Sequence, residues 1–266
     1  MLVAAVQVDA QEDEAASFAR VEALARRAVD RGARLVAFPE NVLWEGHCRP
    51  EDPRRHPLEE WEPRFARLAR DLKVTLATGT LREPAPDGKV WNTLLVLGPD
   101  GSRLGRYRKI HLFDVDVPGG PRERESEQVA PGDGPVTCEV PGLGTVGLSV
   151  CYDLRFPELY RALVDQGARA LLVPASFALM TGKDHWQVLL RARAIENQCF
   201  VIAPGQYGKK PGGRVRFGQS VVVDPWGTVL AQARDVAEDV VVADLDLAHQ
   251  DTIRRGLPCL QHRRVK

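Results

Sequence analysis

Net charge is the first thing this sequence lacks. Its 36 Lys and Arg balance 36 Asp and Glu over 266 residues. There is no whole-chain basic excess of the kind nucleic-acid binding shows. Nor is there the one-sided charge and low hydrophobicity of a disordered chain. Long apolar runs are missing too, since none approaches the roughly 18 residues of a membrane helix. The opening MLVAAVQVDAQEDEAA has no basic segment and turns acidic by Glu12, so it does not read as a secretory leader. Cysteines are few and odd in number (Cys48, Cys138, Cys151, Cys199, Cys259), with no C-x-x-C. That excludes a disulfide framework and leaves free thiols in a cytoplasmic protein as the expectation. No repeat, low-complexity tract or Ser/Gly linker divides the chain, so a single domain over residues 1–266 is expected.

Several catalytic signatures are also absent: P-loop, H-E-x-x-H and G-x-S-x-G do not occur. His47–Cys48 with His56 fits no zinc spacing and lies among prolines and charges, as a surface loop would. The one match to G-x-G-x-x-G, Gly142 to Gly147, runs into LSVC rather than into a helix. A dinucleotide fingerprint must open a helix whose N-terminus meets the pyrophosphate. A turn between two strands is the better reading.

What is present is an ordinary globular composition, 44% hydrophobic and 27% charged, in a chain long enough to bury a core unaided. Residues 2–8 read as a buried strand. Phe18, Val21, Leu24, Ala25 and Ala28 follow helical spacing up to Gly32, and ARLVAFPE resumes as a strand. A helix over 58–72, a strand over 73–80 and a hairpin turning at Pro99–Asp100–Gly101 follow. Residues 114–135 read as a long functional loop. Beyond them come strand GTVGLSV, a helix from Pro157 to Gln166, strand ARALLVPAS, a helix over 184–198 and strand CFVIAPG. A hairpin turning at Asp224–Pro225–Trp226–Gly227 and a last strand EDVVVADLD close the series. Helices and strands alternate early and hairpins intrude later. The pattern predicts an α/β domain with a mixed sheet covered by helices.

Three positions stand out for chemistry. Glu40 directly follows a strand and Pro39, where α/β proteins place their sites, although a solvated loop acid is an equal reading. Lys109 lies in RYRKIHLFD, where a surface lysine is the simpler reading. Cys151 ends GLSV and precedes YDLRFPE, a strand, a sharp turn and a helix. Such an elbow presents a nucleophile near a helix N-terminus, whose positive end favours a thiolate. The alternative is a buried structural cysteine. A Cys–His protease arrangement stays open as well, with His111, His185, His249 or His262 as the partner.

At these residues the sequence resembles the nitrilase superfamily of carbon–nitrogen hydrolases. The resemblance is carried by LVAFPEN (35–41), YRKIHLFDVDVPG (107–119), LSVCYDLRFPELYR (148–161) and VVVDPWGTVLA (221–231). Residues 181–208 and LPCLQHRR (257–264) resemble the branch of ω-amidases and deaminated-glutathione amidases. The resemblance implies a four-layer αββα sandwich with mixed sheets, dimerised as a homodimer. It implies Glu40 as base, Lys109 as the triad lysine, Cys151 as nucleophile and Glu125 as the second glutamate. The chain departs from the family at Glu123, often an aromatic, within the charged run Arg122–Arg124.

The implied activity is hydrolysis of a terminal amide on a small carboxylate-bearing substrate, with release of ammonia. Tyr152 would lend its backbone N–H to the oxyanion, and Arg155 is a carboxylate partner or else a structural ion pair. No metal or organic cofactor is required. An N-carbamoyl or simple aliphatic amide hydrolase is the alternative within the fold. A catalytically silent binding subunit of the same fold is the alternative outside catalysis. The basic stretch Arg254–Arg255 and His262–Lys266 reads as a solvated tail rather than a nucleic-acid or membrane patch, and residues 257–266 are expected to pack on a partner subunit.

Overall fold

A computed structural model describes residues 1–45, 58–235 and 237–265. His47, Cys48 and His56 lie outside the described residues. In chain order the elements are β1 (Leu2–Gln7), α1 (Glu14–Asp30), β2 (Leu35–Ala37), α2 (Leu58–Leu72), β3 (Thr75–Pro84), β4 (Val90–Leu97) and β5 (Arg103–Arg108). Next are β6 (Asp114–Asp116), β7 (Arg122–Arg124), β8 (Val136–Val140), β9 (Gly144–Leu148), α3 (Pro157–Asp165), β10 (Ala170–Leu172), α4 (Leu179–Asn197) and β11 (Phe200–Ala203). The remainder are β12 (Tyr207–Lys209), β13 (Val215–Phe217), β14 (Val221–Val223), β15 (Val229–Gln232), β16 (Asp239–Asp244) and α5 (Leu247–Gly256).

Two six-stranded sheets form, in the orders β16-β1-β2-β3-β4-β5 and β15-β14-β11-β10-β9-β8. In each, three parallel strands (β1, β2, β3 and β9, β10, β11) are extended by antiparallel neighbours. The side-chain period of two explains how the sheets are covered. Val3, Ala5, Leu35, Ala37, Leu94 and Val96 join one core with Val146, Leu148, Ala170, Leu172 and Val201 of the second sheet. The intervening Ala4, Val6, Val36, Leu76 and Leu95 join a second core with Val21, Leu24, Phe65 and Leu68 of α1 and α2. Helices α3 and α4 cover the outer face of the second sheet through Leu159, Leu163, Trp186 and Leu190. The result is the expected αββα sandwich. Among the described residues no helix is long and apolar enough to cross a membrane, and the four described cysteines are free thiols.

The glycine-rich match at 142–147 is a turn between β8 and β9, with Gly142 and Gly144 at positive φ. At the predicted turn after β14, the Gly227 N–H donates to the Asp224 carbonyl at 2.9 Å. Three expectations need correction. The 114–135 segment is not a plain loop: β6 and β7 pair as a small antiparallel hairpin. Helix α4 begins at Leu179, five residues before the expected start. Helix α5 was not anticipated, because only Gln250 and Ile253 of its ten residues are buried and the apolar stripe is too thin to read.

Candidate active site

The parallel strands of both sheets end at one place. Glu40 follows β2, Cys151 follows β9, and Ser176 follows β10. Gly79 helps position Glu40. It sits at φ +76° in a bulge of β3, and a Cβ there would lie 2.1 Å from the Pro39 carbonyl oxygen, so only glycine lets the Pro39–Glu40 segment pass. Lys109 extends the inward row of β5, two residues after buried Tyr107.

Glu40 and Lys109, 69 positions apart in sequence, meet with Nζ 3.1 Å from Oε1. Glu40 Oε1 also accepts from Asn92 Nδ2 at 2.8 Å, and Oε2 from the Ser176 N–H at 2.9 Å. Lys109 Nζ donates to both oxygens of Glu125, at 3.0 and 2.8 Å. The Phe113 N–H donates to Glu125 Oε2 at 2.6 Å. The Glu40 carboxylate stands beside the Cys151 thiol and acts on it electrostatically. Burial by itself would depress Lys109, but the carboxylates of Glu125 and Glu40 outweigh it and hold the ammonium well above the usual lysine range.

Cys151 is not where the helix-dipole argument put it. It opens a 3₁₀ turn, Cys151–Arg155, at φ +49°, and α3 starts only at Pro157. Burial, then the Glu40 carboxylate beside it, push its thiol well above the ordinary value. The resting group is therefore a thiol beside a carboxylate, not a preformed thiolate. Asp153 holds this turn. Its carboxylate accepts from the Val150 N–H (2.8 Å), Tyr107 OH (2.7 Å) and the His111 N–H (3.0 Å), and pairs with His111 Nδ1 (2.7 Å). One buried aspartate thus ties the Cys151 turn to the segment carrying Lys109.

Glu40, Lys109, Glu125, Cys151 and Ser176 line a cleft open to solvent, together with Asn92, Phe113, Tyr152, Phe177, Arg82, Arg124, Arg214 and Arg216. The Tyr152 N–H has no acceptor among the described residues. Arg155 does not line the cleft. Its guanidinium meets His185 Nδ1 at 3.2 Å and lies over the rings of Tyr152 and Phe177. It has no carboxylate partner among the described residues, and it stands against two residues of the cleft lining. His111 stacks on Phe156 and His185 faces Arg155; neither lines the cleft.

The residues 2–255 match the family model described as carbon–nitrogen hydrolase. The chain belongs to the carbon–nitrogen hydrolase family. It is 40% identical to a deaminated glutathione amidase of Synechocystis over 98% of this chain and 97% of that protein. It is 36% identical to a human ω-amidase over 98% of this chain and 94% of that protein. The crystal structure of Nit3 from Saccharomyces cerevisiae, a member of the nitrilase superfamily, superposes with a TM-score of 0.86 at 30% identity, covering 100% of this chain and 97% of that one. The sandwich of this carbon–nitrogen hydrolase is therefore a nitrilase-superfamily fold.

Sequence reasoning missed Asn92, Ser176, Glu45, Arg214 and Arg216. Asn92 did leave a signal. It interrupts the apolar row that Leu94 and Val96 continue on β4, and a polar residue in a buried row needs partners. The two arginines left none, because GGRVRF reads as loop.

Proposed function

We propose that this hydrolase cleaves the terminal amide of a small carboxylate-bearing substrate through a thioester on Cys151, releasing ammonia. The observation that carries the reading is that one carboxylate, Glu40, meets the Lys109 ammonium at 3.1 Å and also acts on the neighbouring Cys151 thiol, in one cleft. Glu40 takes the thiol proton as Sγ bonds to the amide carbon. The oxygen turned anionic is stabilised by Lys109 Nζ and the Tyr152 N–H. Collapse of the adduct breaks the C–N bond, and Glu40 returns the proton to the departing nitrogen. Water, deprotonated by Glu40, then attacks the thioester and frees the acid and the thiol. Glu125 fixes the ammonium with a second carboxylate.

The relatives' names favour deaminated glutathione as substrate, with 2-oxoglutaramate-like ω-amides second. The test is ammonia release across deaminated glutathione, ω-amides, aliphatic amides and N-carbamoyl compounds. Turnover confined to N-carbamoyl compounds, with carbon dioxide released as well, would defeat the reading. So would activity that survives Cys151→Ala.

The same reading has one catalytic domain over residues 1–266 working in the cytoplasm as a homodimer. Leu257, and Val188, Ile195 and Trp226 near α4, are large apolar side chains exposed on the monomer, which supports pairing of two copies. The tail is partly held by its own chain, since Gln198 Nε2 donates to the Leu257 carbonyl and Arg263 pairs with Asp165. Removing residues 257–266 should weaken the dimer in sedimentation; a truncated protein that stays dimeric at nanomolar concentration contradicts the tail's role.

A further inference from the structure

Arg214, the extended residue just before β13, and Arg216, on it, flank Val215, and the period of two puts both on one face. Both line the cleft that holds Cys151. Their situations differ. Arg216 is fixed by Glu45, with Nε at 2.9 Å and Nη2 at 2.7 Å from Oε1. Glu45 is itself held by Ser176 Oγ at 3.0 Å and Asn41 Nδ2 at 2.9 Å.

Arg214 makes one side-chain hydrogen bond among the described residues, Nη1 to Glu123 Oε1 at 3.5 Å, well beyond the 2.7–2.9 Å of a good charge-assisted bond. Its Nε–H is buried with no hydrogen-bond partner among the described residues. Its charge helps to hold Glu45 ionised, but an unmet buried donor is rare enough to need a reason, and the hydrogen-bonding capacity of this guanidinium is largely unused. The other two cleft arginines are engaged elsewhere. Arg124 donates to the carbonyls of Val115 and Glu123, and Arg82 lies 5.0 Å over the Trp44 ring.

We propose that Arg214 is the specificity residue that receives the substrate's carboxylate, with Glu123 holding that position until the substrate displaces it. The inference rests on the amide-hydrolase reading and names the residue that would make the site prefer an anion. Nε is closed to solvent, so the carboxylate arrives at the terminal edge of the guanidinium, where Glu123 now makes its single long contact. Two parallel N–H···O bonds there replace one poor one. Glu123 reaches this position from β7 of the small hairpin. The substrate carboxylate thus competes with a carboxylate of the protein, and affinity reflects the difference between them.

The experiment compares glutaramate with glutaramide, which has the same shape and no charge, in the wild type, Arg214→Gln and Glu123→Gln. In Arg214→Gln the ratio of kcat/KM for glutaramate over glutaramide should fall about 10-fold or more, through KM, as loss of a charged hydrogen-bond partner implies. Glu123→Gln should shift the ratio the other way, by removing the competing anion. A ratio that Arg214→Gln leaves at the wild-type value overturns the proposal. Calorimetric binding of glutarate gives a readout independent of turnover. Arg214→Gln should weaken it about 10-fold or more, and glutarate that binds both proteins alike, or neither, also overturns the proposal. A wild type that hydrolyses neither these amides nor deaminated glutathione nor 2-oxoglutaramate would instead defeat the amide-hydrolase reading, while the glutarate result would still decide the role of Arg214.

Discussion

Replacing Lys109 by Met removes the cation held between two carboxylates. Its Nζ lies 3.1 Å from Glu40 and 2.8 Å from Glu125, and the Lys109 and Glu40 side chains are 2% and 4% exposed. Breaking a buried pair by deleting one partner typically costs about 3–5 kcal/mol, because the remaining charge is left buried. Here the lower end is expected. Glu40 keeps its bonds from Asn92 and the Ser176 N–H, and Glu125 keeps the Phe113 N–H. A loss of about 3 kcal/mol is still a large part of the 5–15 kcal/mol typical of a folded domain. Activity should fall by at least the 10²–10³ of a lost oxyanion donor. The fall should be steeper if the repelling carboxylates also draw Glu40 away from Cys151, since groups acting as a unit are not additive. The double variant Lys109→Met, Glu125→Gln separates the two effects. Neutralising one carboxylate should restore most of the stability and none of the rate. Urea unfolding followed by tryptophan fluorescence gives the first quantity, and single-turnover acylation of Cys151 the second. A Lys109→Met protein within about 0.5 kcal/mol of the wild type, as for an ordinary surface change, would refute the electrostatic argument. Recovery of acylation in the double variant would refute the assignment of Lys109 to the oxyanion.

Glu40→Gln should accumulate almost no acyl adduct on Cys151 by mass spectrometry, with a loss at or beyond the 10²–10⁴ usual for general acid–base catalysis; rapid thioester formation would move the base to another group. Because burial and Glu40 hold the Cys151 thiol above its ordinary value, iodoacetamide should label it slowly near neutrality and faster as pH rises; fast labelling independent of pH would contradict the thiol resting state. For Glu45, burial pushes the carboxyl up, but Arg216, Lys210 and Arg214 outweigh it and hold it below the ordinary range. Its folded value lies below its unfolded one, so its stabilising share is complete above the ordinary carboxylate range and is lost as pH falls through the depressed value. Glu45→Gln should therefore flatten the acid limb of stability against pH, and an acid limb identical to the wild type's would count against the Glu45–Arg216 network.

The sequence determined this fold to a large degree because its signals are local. Period-two rows in LVAAVQV and VWNTLLVL require strands with two buried faces, and a two-faced sheet requires a layer on each side. Cys151 and Glu40 were legible for the same reason, each standing just past the end of a buried run. What the sequence left open was decided by tertiary structure. Nothing local says that the strand ends after residues 37 and 148 lie side by side, or that Lys109 falls between Glu40 and Glu125. Those meetings come from stacking one sheet on the other, across separations over which residue patterns carry no distance. The state of the Cys151 thiol also belongs to the assembled site. The turn suggested a thiolate beside a helix dipole, but burial and a neighbouring carboxylate act more strongly at contact range than a dipole whose helix starts six residues later. Arg155 read equally as a carboxylate partner and as a structural ion pair, and only the folded chain sets it against His185 and two aromatic rings. Arg214, 63 residues beyond Cys151, lines the cleft because only the folded chain brings β13 across the ends of the parallel strands.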